Sequence, residues 1–494
     1  MYKPKVFSEL FIGGAWAKPL GAGTFDVISP WSEEVVASLP DPTKGDVDQA
    51  VAAARKAFDQ GPWPRLSLEE RAAVLRRVGE GFEKHRERLA HTITEEMGSP
   101  IAQSINIQAV VPRVMISSFI ELATSREPWM LRQSSSGNGV VFREPKGVVA
   151  AIVPWNVPMM TTMMKLAPAL LMGCCVILKA AQETPLSGYI LGEILAEAGV
   201  PDGVVSILAA DREVSEYLAL HPGVDKVSFT GSTLAGRRLG ALCGELVRPI
   251  TLELGGKSAA LILDDADLPA AVEALRMGSF RNSGQICSLK TRVVVSRKIE
   301  GEFLDRMKAL VVSMPVGDPF DLATQIGPMA TARQRDRVQG YIERGLAEGA
   351  RLVCGGPGIP DGLDHGWFVR PTVFAGVDPG AAIAQEEIFG PVVSVMTFDS
   401  EDEAIAIANT SNYGLNGAIF SADVPRALEL GRRIKTGVVE INGCGVGFHS
   451  PIGGVKQSGI GREAGFEGLD AYVEMKAIGV PKPFADSLAA SQVD

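Results

Sequence analysis

The run Gly147-Val148-Val149-Ala150-Ala151-Ile152-Val153-Pro154-Trp155-Asn156, with Cys174-Cys175-Val176-Ile177-Leu178-Lys179 further on, decides the fold class. Each stretch is continuously apolar and then breaks at polar or turn residues. Strands that alternate apolar and polar residues have one wet face. Continuous apolar strands are covered on both faces, as in a parallel sheet. Further runs of this kind fall at 203–208, 226–230 and 250–254, with segments of helical length between them. One such segment has a start at Thr184 (N-cap) and Pro185 (first helical position) and a stop at Gly199. Strand–helix–strand alternation predicts an α/β domain whose ligands bind past the carboxyl ends of the strands.

An amphipathic helix is expected over 47–59, capped by Asp46, with Gln49 at N3 and Gly61 beyond its end. Residues 127–145, with the turn Ser134-Ser135-Ser136-Gly137-Asn138-Gly139, predict a hairpin interrupting the first domain. After residue 257 the alternation restarts. Helices are expected near 266–281, 299–313, 332–348, 400–409 and 424–434. Strands are expected near 291–296, 367–375, 392–398, 416–421 and 437–441. The expected organisation is a cofactor-binding domain (1–126 and 146–256), a catalytic domain (257–456), and an oligomerisation element with the tail (127–145 and 457–494).

The 494 residues are 46% hydrophobic and 21% charged, the balance of an ordinary globular protein, with a net charge of -10. An acidic chain is a poor match for nucleic acid or an anionic membrane surface. The longest apolar run, 166–178, is bracketed by Lys165 and Lys179, contains Pro168 and is too short to span a bilayer. Six cysteines without a C-x-x-C pair and five scattered histidines predict no disulfide framework and no metal. A cytoplasmic protein is expected. Gly231-Ser232-Thr233-Leu234-Ala235-Gly236-Arg237 has P-loop glycine spacing but lacks the Lys-Ser/Thr. Neither a G-x-G-x-x-G fingerprint after a strand nor a G-x-S-x-G elbow is present.

Two stretches carry chemistry. Gly284-Gln285-Ile286-Cys287-Ser288 sets a cysteine in a small-residue turn, where a thiol can meet a carbonyl carbon. Glu253-Leu254-Gly255-Gly256-Lys257 sets a carboxylate at the end of an apolar strand, where partial burial raises its basicity. Asn156, at a strand's carboxyl end, can donate to an oxyanion or simply cap a turn. Phe229-Thr230-Gly231-Ser232 opens a helix whose N-terminus suits a pyrophosphate.

Together these segments resemble the aldehyde dehydrogenase superfamily over about residues 10–480. The matching pieces, in order, are Pro154-Trp155-Asn156, Lys179, Phe229-Thr230-Gly231-Ser232-Thr233, Glu253-Leu254-Gly255-Gly256-Lys257, Gly284-Gln285-Ile286-Cys287, Glu387-Ile388-Phe389-Gly390-Pro391 and Pro451-Ile452-Gly453-Gly454-Val455-Lys456-Gln457-Ser458-Gly459. The resemblance implies an α/β fold: a Rossmann-like cofactor domain, a second α/β catalytic domain and a β-hairpin oligomerisation element. The hairpin would pair with 471–480 across a subunit boundary in a homodimer or homotetramer.

The implied reaction oxidises an aldehyde to its acid with NAD, through a Cys287 thiohemiacetal and thioester. Asn156 and the Cys287 N–H would hold the oxyanion, and Glu253 would activate the hydrolytic water. Ile152, Pro154, Trp155, Lys179, Gln182, Phe229, Gly231, Ser232, Leu254, Gly255, Gln334, Glu387 and Phe389 would form the cofactor site. Many NAD-using members carry Glu where Gln182 stands, and Asp211-Arg212 replace a Gly-rich turn. Gln does not repel a 2′-phosphate, Asp211 would disfavour one and Arg212 would favour one; NAD is expected, with NADP as the alternative. Val157, Met163, Met164, Val446, Phe448 and Ile452 would line the substrate pocket. Their apolar character suggests a hydrophobic aldehyde, against the alternatives of a semialdehyde or amino-aldehyde substrate or a catalytically silent binding protein.

Overall fold

The computed structural model describes residues 5–491. Its first sheet has eight strands in the spatial order Gly459–Ile460, Ile250–Glu253, Lys226–Thr230, Val148–Ile152, Cys175–Ala180, Val205–Ala209, Leu10–Ile12 and Ala15–Ala17. The five middle strands are parallel, as the continuous apolar runs predict. Chain order reverses on either side of Val148–Ile152. This is the switch point where α/β sheets leave a ligand crevice. Pro154-Trp155-Asn156 and Gly231-Ser232 leave adjacent strands at that point.

The second sheet has seven strands, with Ala259–Ile262, Arg292–Ser296, Val392–Phe398 and Gly417–Phe420 at its centre. Its two faces feed separate cores by the two-residue period of a strand. Ala259, Leu261 and Val294 enter one, and Ala260, Ile262, Val293 and Val295 the other. Ala259–Ile262 follows almost directly after Glu253, so the sequence pattern merges it with the preceding turn. The strand expected over 367–375 is only Thr372–Ala375. It begins after Pro371, which cannot donate to a ladder.

The hairpin forms as Trp129–Ser134 and Gly137–Pro145. Its third strand, Val473–Gly479, pairs with Gly137–Pro145 of the same chain over seven residue pairs, from Val473 opposite Pro145 to Gly479 opposite Gly139. The pairing expected across a subunit boundary is therefore intramolecular. Gly459–Ile460, in the stretch assigned to the tail, instead completes the edge of the first sheet beside Ile250–Glu253.

Two helix starts differ from expectation. The first helix runs Lys44–Asp59, and Thr43, not Asp46, is its N-cap. Asp46 returns a bond to the Thr43 N–H at 2.8 Å as the N3 partner of a capping box. The helix Leu186–Glu197 has no cap from Thr184, whose hydroxyl donates to the Trp155 carbonyl at 3.3 Å. The buried Glu96 carboxylate accepts the Leu186 and Ser187 N–H groups instead, at 2.7 and 3.3 Å. A distant acid thus does the local cap's work.

The stretch Ile101–Thr124 is long and apolar enough to cross a bilayer by composition, but it packs against the helices Leu68–Lys84 and Pro158–Leu171. Its Ser104–Val110 portion is wound as a π-helix, a geometry often found at functional sites.

Candidate active site

The loop before Cys287 holds three successive left-handed residues: Asn282 (φ 53°), Ser283 (φ 56°) and Gly284 (φ 79°). For Asn and Ser this costs on the order of 1–3 kcal/mol each, and surrounding bonds must enforce it. Gln103 Oε1 accepts from the Asn282 N–H at 2.6 Å. Ser283 Oγ donates to the Gly327 carbonyl and accepts from the Gly327 N–H, both at 2.9 Å. Gln285 Oε1 accepts from Ala330 N–H at 3.0 Å. Gly284 cannot be replaced without movement, because a Cβ there would lie 2.1 Å from the Gly390 carbonyl.

Asn156 joins this loop directly. Its Nδ2 donates to the Gln285 carbonyl at 2.8 Å, and its own carbonyl accepts from Asn282 Nδ2 at 2.9 Å. One amide hydrogen of Asn156 is used, and a second remains for another acceptor. The Glu253 segment lies against the same loop: a Cβ on Gly256 would stand 2.4 Å from the Cys287 carbonyl oxygen. The three residues that the sequence singled out for chemistry thus come together from connections of the two large sheets.

Electrostatics favour neutral forms here. Burial, then the charges of Glu387 and Glu253, push the Cys287 thiol up to about 12, while its own backbone N–H and Arg281 pull the other way. Burial and the neighbouring Glu463 carboxylate raise Glu253 well above the usual range, against Lys165, Arg462 and the Gly454 N–H. Glu253 Oε1 has no hydrogen-bond partner among the described residues. Lys165 and Glu463, which sequence reasoning passed over, form a buried ion pair, and Lys165 also donates to Thr230 Oγ1 at 2.6 Å. Lys165 carried no sequence signal beyond bounding an apolar run.

A thiol this strongly raised is almost wholly protonated at pH 8, with a thiolate fraction on the order of 10⁻⁴. Alkylation of Cys287 by iodoacetamide in the nucleotide-free protein is expected to accelerate about tenfold per pH unit from 7 to 10. A plateau below pH 9, read from the rate profile, would contradict that environment.

The cofactor candidates divide clearly. Ile152, Lys179, Gln182 and Phe229 line a cavity of ≈ 400 Å³ at the strand ends, together with Asp211 and Arg212. Burial lowers Lys179 to about 8. Ser232 caps the helix Thr233–Glu245, its side chain accepting from Ala235 N–H at 3.3 Å. Gly231 is closed over the Phe229 ring, which a Cβ would approach to 2.5 Å. Leu254 packs against Gly236. Pro154 precedes Trp155, whose ring meets Phe389 edge-on at 5.5 Å. Glu387 Oε1 accepts from Gly256 N–H at 2.9 Å, and a Cβ on Gly255 would strike the Glu387 carboxylate at 2.3 Å. Burial raises Glu387 to about 7. Gln334 acts through the backbone, its Nε2 donating to the Ile388 and Phe389 carbonyls at 3.1 and 2.8 Å. This steadies Phe389 at its positive φ of 64°.

The residues expected to form the substrate wall fall in different surroundings. Val157 packs with Ile286 and Leu289, joined by Ile107 and Met160. Met163 and Met164 are buried in the first core. Phe448 and Ile452 pack on that core's edge, and Val446 is exposed. Met160, at i+3 from Val157 on the same helical face, is the methionine that faces the cluster. Ile107 comes from the π-helix. The adjacent Gln108 accepts the Met159 and Met160 N–H groups at 3.1 and 3.3 Å.

The sequence profile of the aldehyde dehydrogenase family matches residues 16–478. The chain is 44% identical over 471 residues to geranial dehydrogenase of Castellaniella defragrans, covering 95% of this chain and 98% of the relative. It is 42% identical over 474 residues to 3-succinoylsemialdehyde-pyridine dehydrogenase of a Pseudomonas species, covering 96% and 98%. The crystal structure of Mycobacterium tuberculosis aldehyde dehydrogenase complexed with NAD+ superposes with a TM-score of 0.95 at 43% identity, covering 97% and 99%. A mutant of aldehyde dehydrogenase C from Pseudomonas syringae, complexed with NAD+ and octanal, gives 0.93 at 38%, covering 97% and 98%.

Proposed function

The chain belongs to the aldehyde dehydrogenase family and oxidises an aldehyde to a carboxylic acid; we propose that the aldehyde is apolar, that NAD is the cofactor, and that Cys287, Asn156 and Glu253 carry the chemistry. The observation that supports this most is the Asn156 amide bonded to the Gln285 carbonyl, two residues ahead of Cys287, with the Glu253-Gly256 segment packed on the same loop.

The strand-end cavity and the glycines closed over Phe229 and Glu387 fit a dinucleotide. Lys179 and Gln182 would hold the adenosine ribose, Ser232 and Gly231 the pyrophosphate, and Glu387 the nicotinamide ribose, with Phe389 and Trp155 beside the ring. Bound NAD supplies the hydride acceptor. The chain's own residues do the rest. The Cys287 thiol passes its proton to solvent, and the thiolate sulfur adds to the carbonyl carbon. The second Asn156 amide hydrogen and the Cys287 N–H hold the oxyanion. Glu253 then takes a proton from the water that releases the acyl group from Cys287. Its burial makes it a stronger base than a surface carboxylate.

The aliphatic wall of Ile107, Val157, Met160, Ile286 and Leu289 offers no charge to a polar substrate tail. The geranial relative supports this reading, and the pyridine semialdehyde relative supports a second, in which the tail is polar. Reduced-cofactor production with octanal, geranial, succinic semialdehyde and the pyridine semialdehyde separates them. The apolar pair is expected to have the higher kcat/KM, by about tenfold or more for the lost desolvation of a charged tail. Preference for either semialdehyde would overturn the substrate assignment while keeping the mechanism.

We further propose a homodimer or homotetramer built on the hairpin sheet, whose Trp129–Ser134 edge is open in the monomer. Sedimentation velocity giving a monomer at micromolar concentration would contradict this. Six free cysteines suit a reducing cytoplasm, where the chain is expected.

A further inference from the structure

Gln182 lines the strand-end cavity three residues beyond Lys179, and its amide is tied down by a residue from elsewhere in the chain. Gln182 Nε2 donates to Asp41 Oδ1 at 2.9 Å, across 141 residues. Asp41 stands between Pro40 and Pro42, where the strand Val35–Pro40 leads to the helix Lys44–Asp59. The following proline holds Asp41 in extended backbone, so its carboxylate is presented from a stiff linker. It is not one of the residues that line the cavity.

An ionised carboxylate only accepts hydrogen bonds. One hydrogen of the Gln182 amide is therefore committed to Asp41, which fixes the orientation of the amide and turns its carbonyl oxygen away from that carboxylate. The cavity lining carries both signs, Lys179, Arg212, Arg238 and Arg333 against Glu183, Asp211 and Glu216, so the local sign at Gln182 is set by the carboxylate bonded to it. Asp211 lines the same cavity, fixed by its Oδ1 accepting from Val214 N–H at 2.9 Å. Burial first, then the Asp211 charge, raises the Asp41 carboxyl, and the Gln182 bond opposes both. Two carboxylates thus already repel each other beside this spot. Two of the cavity's three arginines face carboxylates: Arg238 Nη2 donates to Glu216 Oε1 at 2.6 Å, and Arg333 stands 3.9 Å from Glu183; Arg212 is the third.

We propose that Asp41 is the residue that selects NAD over NADP in this chain, by fixing Gln182 as a hydrogen-bond acceptor and by repelling a phosphate beside it. This rests on the dinucleotide reading given under Proposed function. A ribose 2′-hydroxyl is a donor and meets the Gln182 carbonyl. A 2′-phosphate has acceptor oxygens and a charge of about −1.5 to −2 at neutral pH, and it meets a carbonyl oxygen with carboxylates around it. Gln182 alone does not reject phosphate. Gln182 locked by Asp41 does.

Titration calorimetry of the nucleotide-free protein with 5′-AMP and 2′,5′-ADP reads this selection without turnover. Wild type is expected to bind 5′-AMP at least about tenfold more tightly. Asp41→Asn removes the charge and lets the Gln182 amide turn, so that ratio is expected to fall about tenfold or more, chiefly through tighter 2′,5′-ADP. Asp41→Glu keeps the charge and is expected to keep most of the ratio, and Asp41→Ser repeats the test should Asp41→Asn not fold. The NAD/NADP ratio of kcat/KM is expected to move in the same sense, through KM. An unchanged ratio in folded Asp41→Asn or Asp41→Ser, or equal binding by wild type, would overturn the role of Asp41 and leave the dinucleotide site standing. If wild type bound neither nucleotide, both readings would fall.

Discussion

Replacing Cys287 with alanine is expected to lower aldehyde-dependent cofactor reduction by about 10⁴-fold or more, while nucleotide binding stays intact. The size follows from the chemistry: without the sulfur no covalent adduct forms, and only binding and the oxyanion donors remain. No other cysteine is placed to substitute. Cys174 and Cys175 are buried at the start of a central strand, with burial pushing their thiols to about 11 and about 12, and Cys174 Sγ donates to the Tyr472 carbonyl at 3.3 Å. Cys243 lies on the buried face of the helix Thr233–Glu245, and Cys354 lies on an edge strand of the second sheet. Cys444, though exposed, sits on another loop. The alanine fills little of the thiol's space and leaves the Asn282–Gly284 bonds untouched, so the expected change in thermal midpoint is small. A variant that kept near-normal turnover would remove Cys287 from the mechanism.

Glu253→Gln is expected to convert steady turnover into a single burst of about one reduced cofactor per active site. Steady-state kcat should then fall by about 10³-fold. Glutamine keeps the shape and the Gly454 contact but cannot take a proton from water, so the acyl group should wait on Cys287. The same change removes one of the charges that raise the Cys287 thiol. Alkylation of Cys287 in this variant is therefore expected to be faster at a given pH than in wild type. The sign is fixed: removing a negative neighbour lowers a thiol's pKa and raises its thiolate fraction. Stopped-flow absorbance reads the burst, and a linear trace at reduced rate would argue that Glu253 acts before acylation.

The parallel sheets were readable because both of their faces are covered, which writes each central strand as an unbroken apolar run. The active loop was readable because Gly284 and Gly256 sit where a Cβ would strike backbone carbonyls, and such positions leave glycine in the sequence. What escaped depends on distance along the chain. Gln103 reaches Asn282 across 179 residues and Asp41 reaches Gln182 across 141, and neither leaves a local pattern. The cap of Leu186–Glu197 was misassigned for the same reason, since Glu96 lies 90 residues from Leu186. The π-helix escaped because Ile105, Ile107 and Ala109 alternate with polar residues, a two-residue period that does not announce a helix. Which methionine of the helix Pro158–Leu171 joins Val157 was not legible, because nearly every residue of that helix is buried and composition does not tell Met160 from Met163.

The most direct test of covalent catalysis at Cys287 is peptide mapping of the Glu253→Gln variant after incubation with NAD and octanal, then acid quench. An octanoyl group is expected on the peptide containing Cys287, at close to one per chain, and on no other cysteine. A fully active wild type whose Glu253→Gln variant carries no acyl group, or carries it on any other cysteine, would contradict the account.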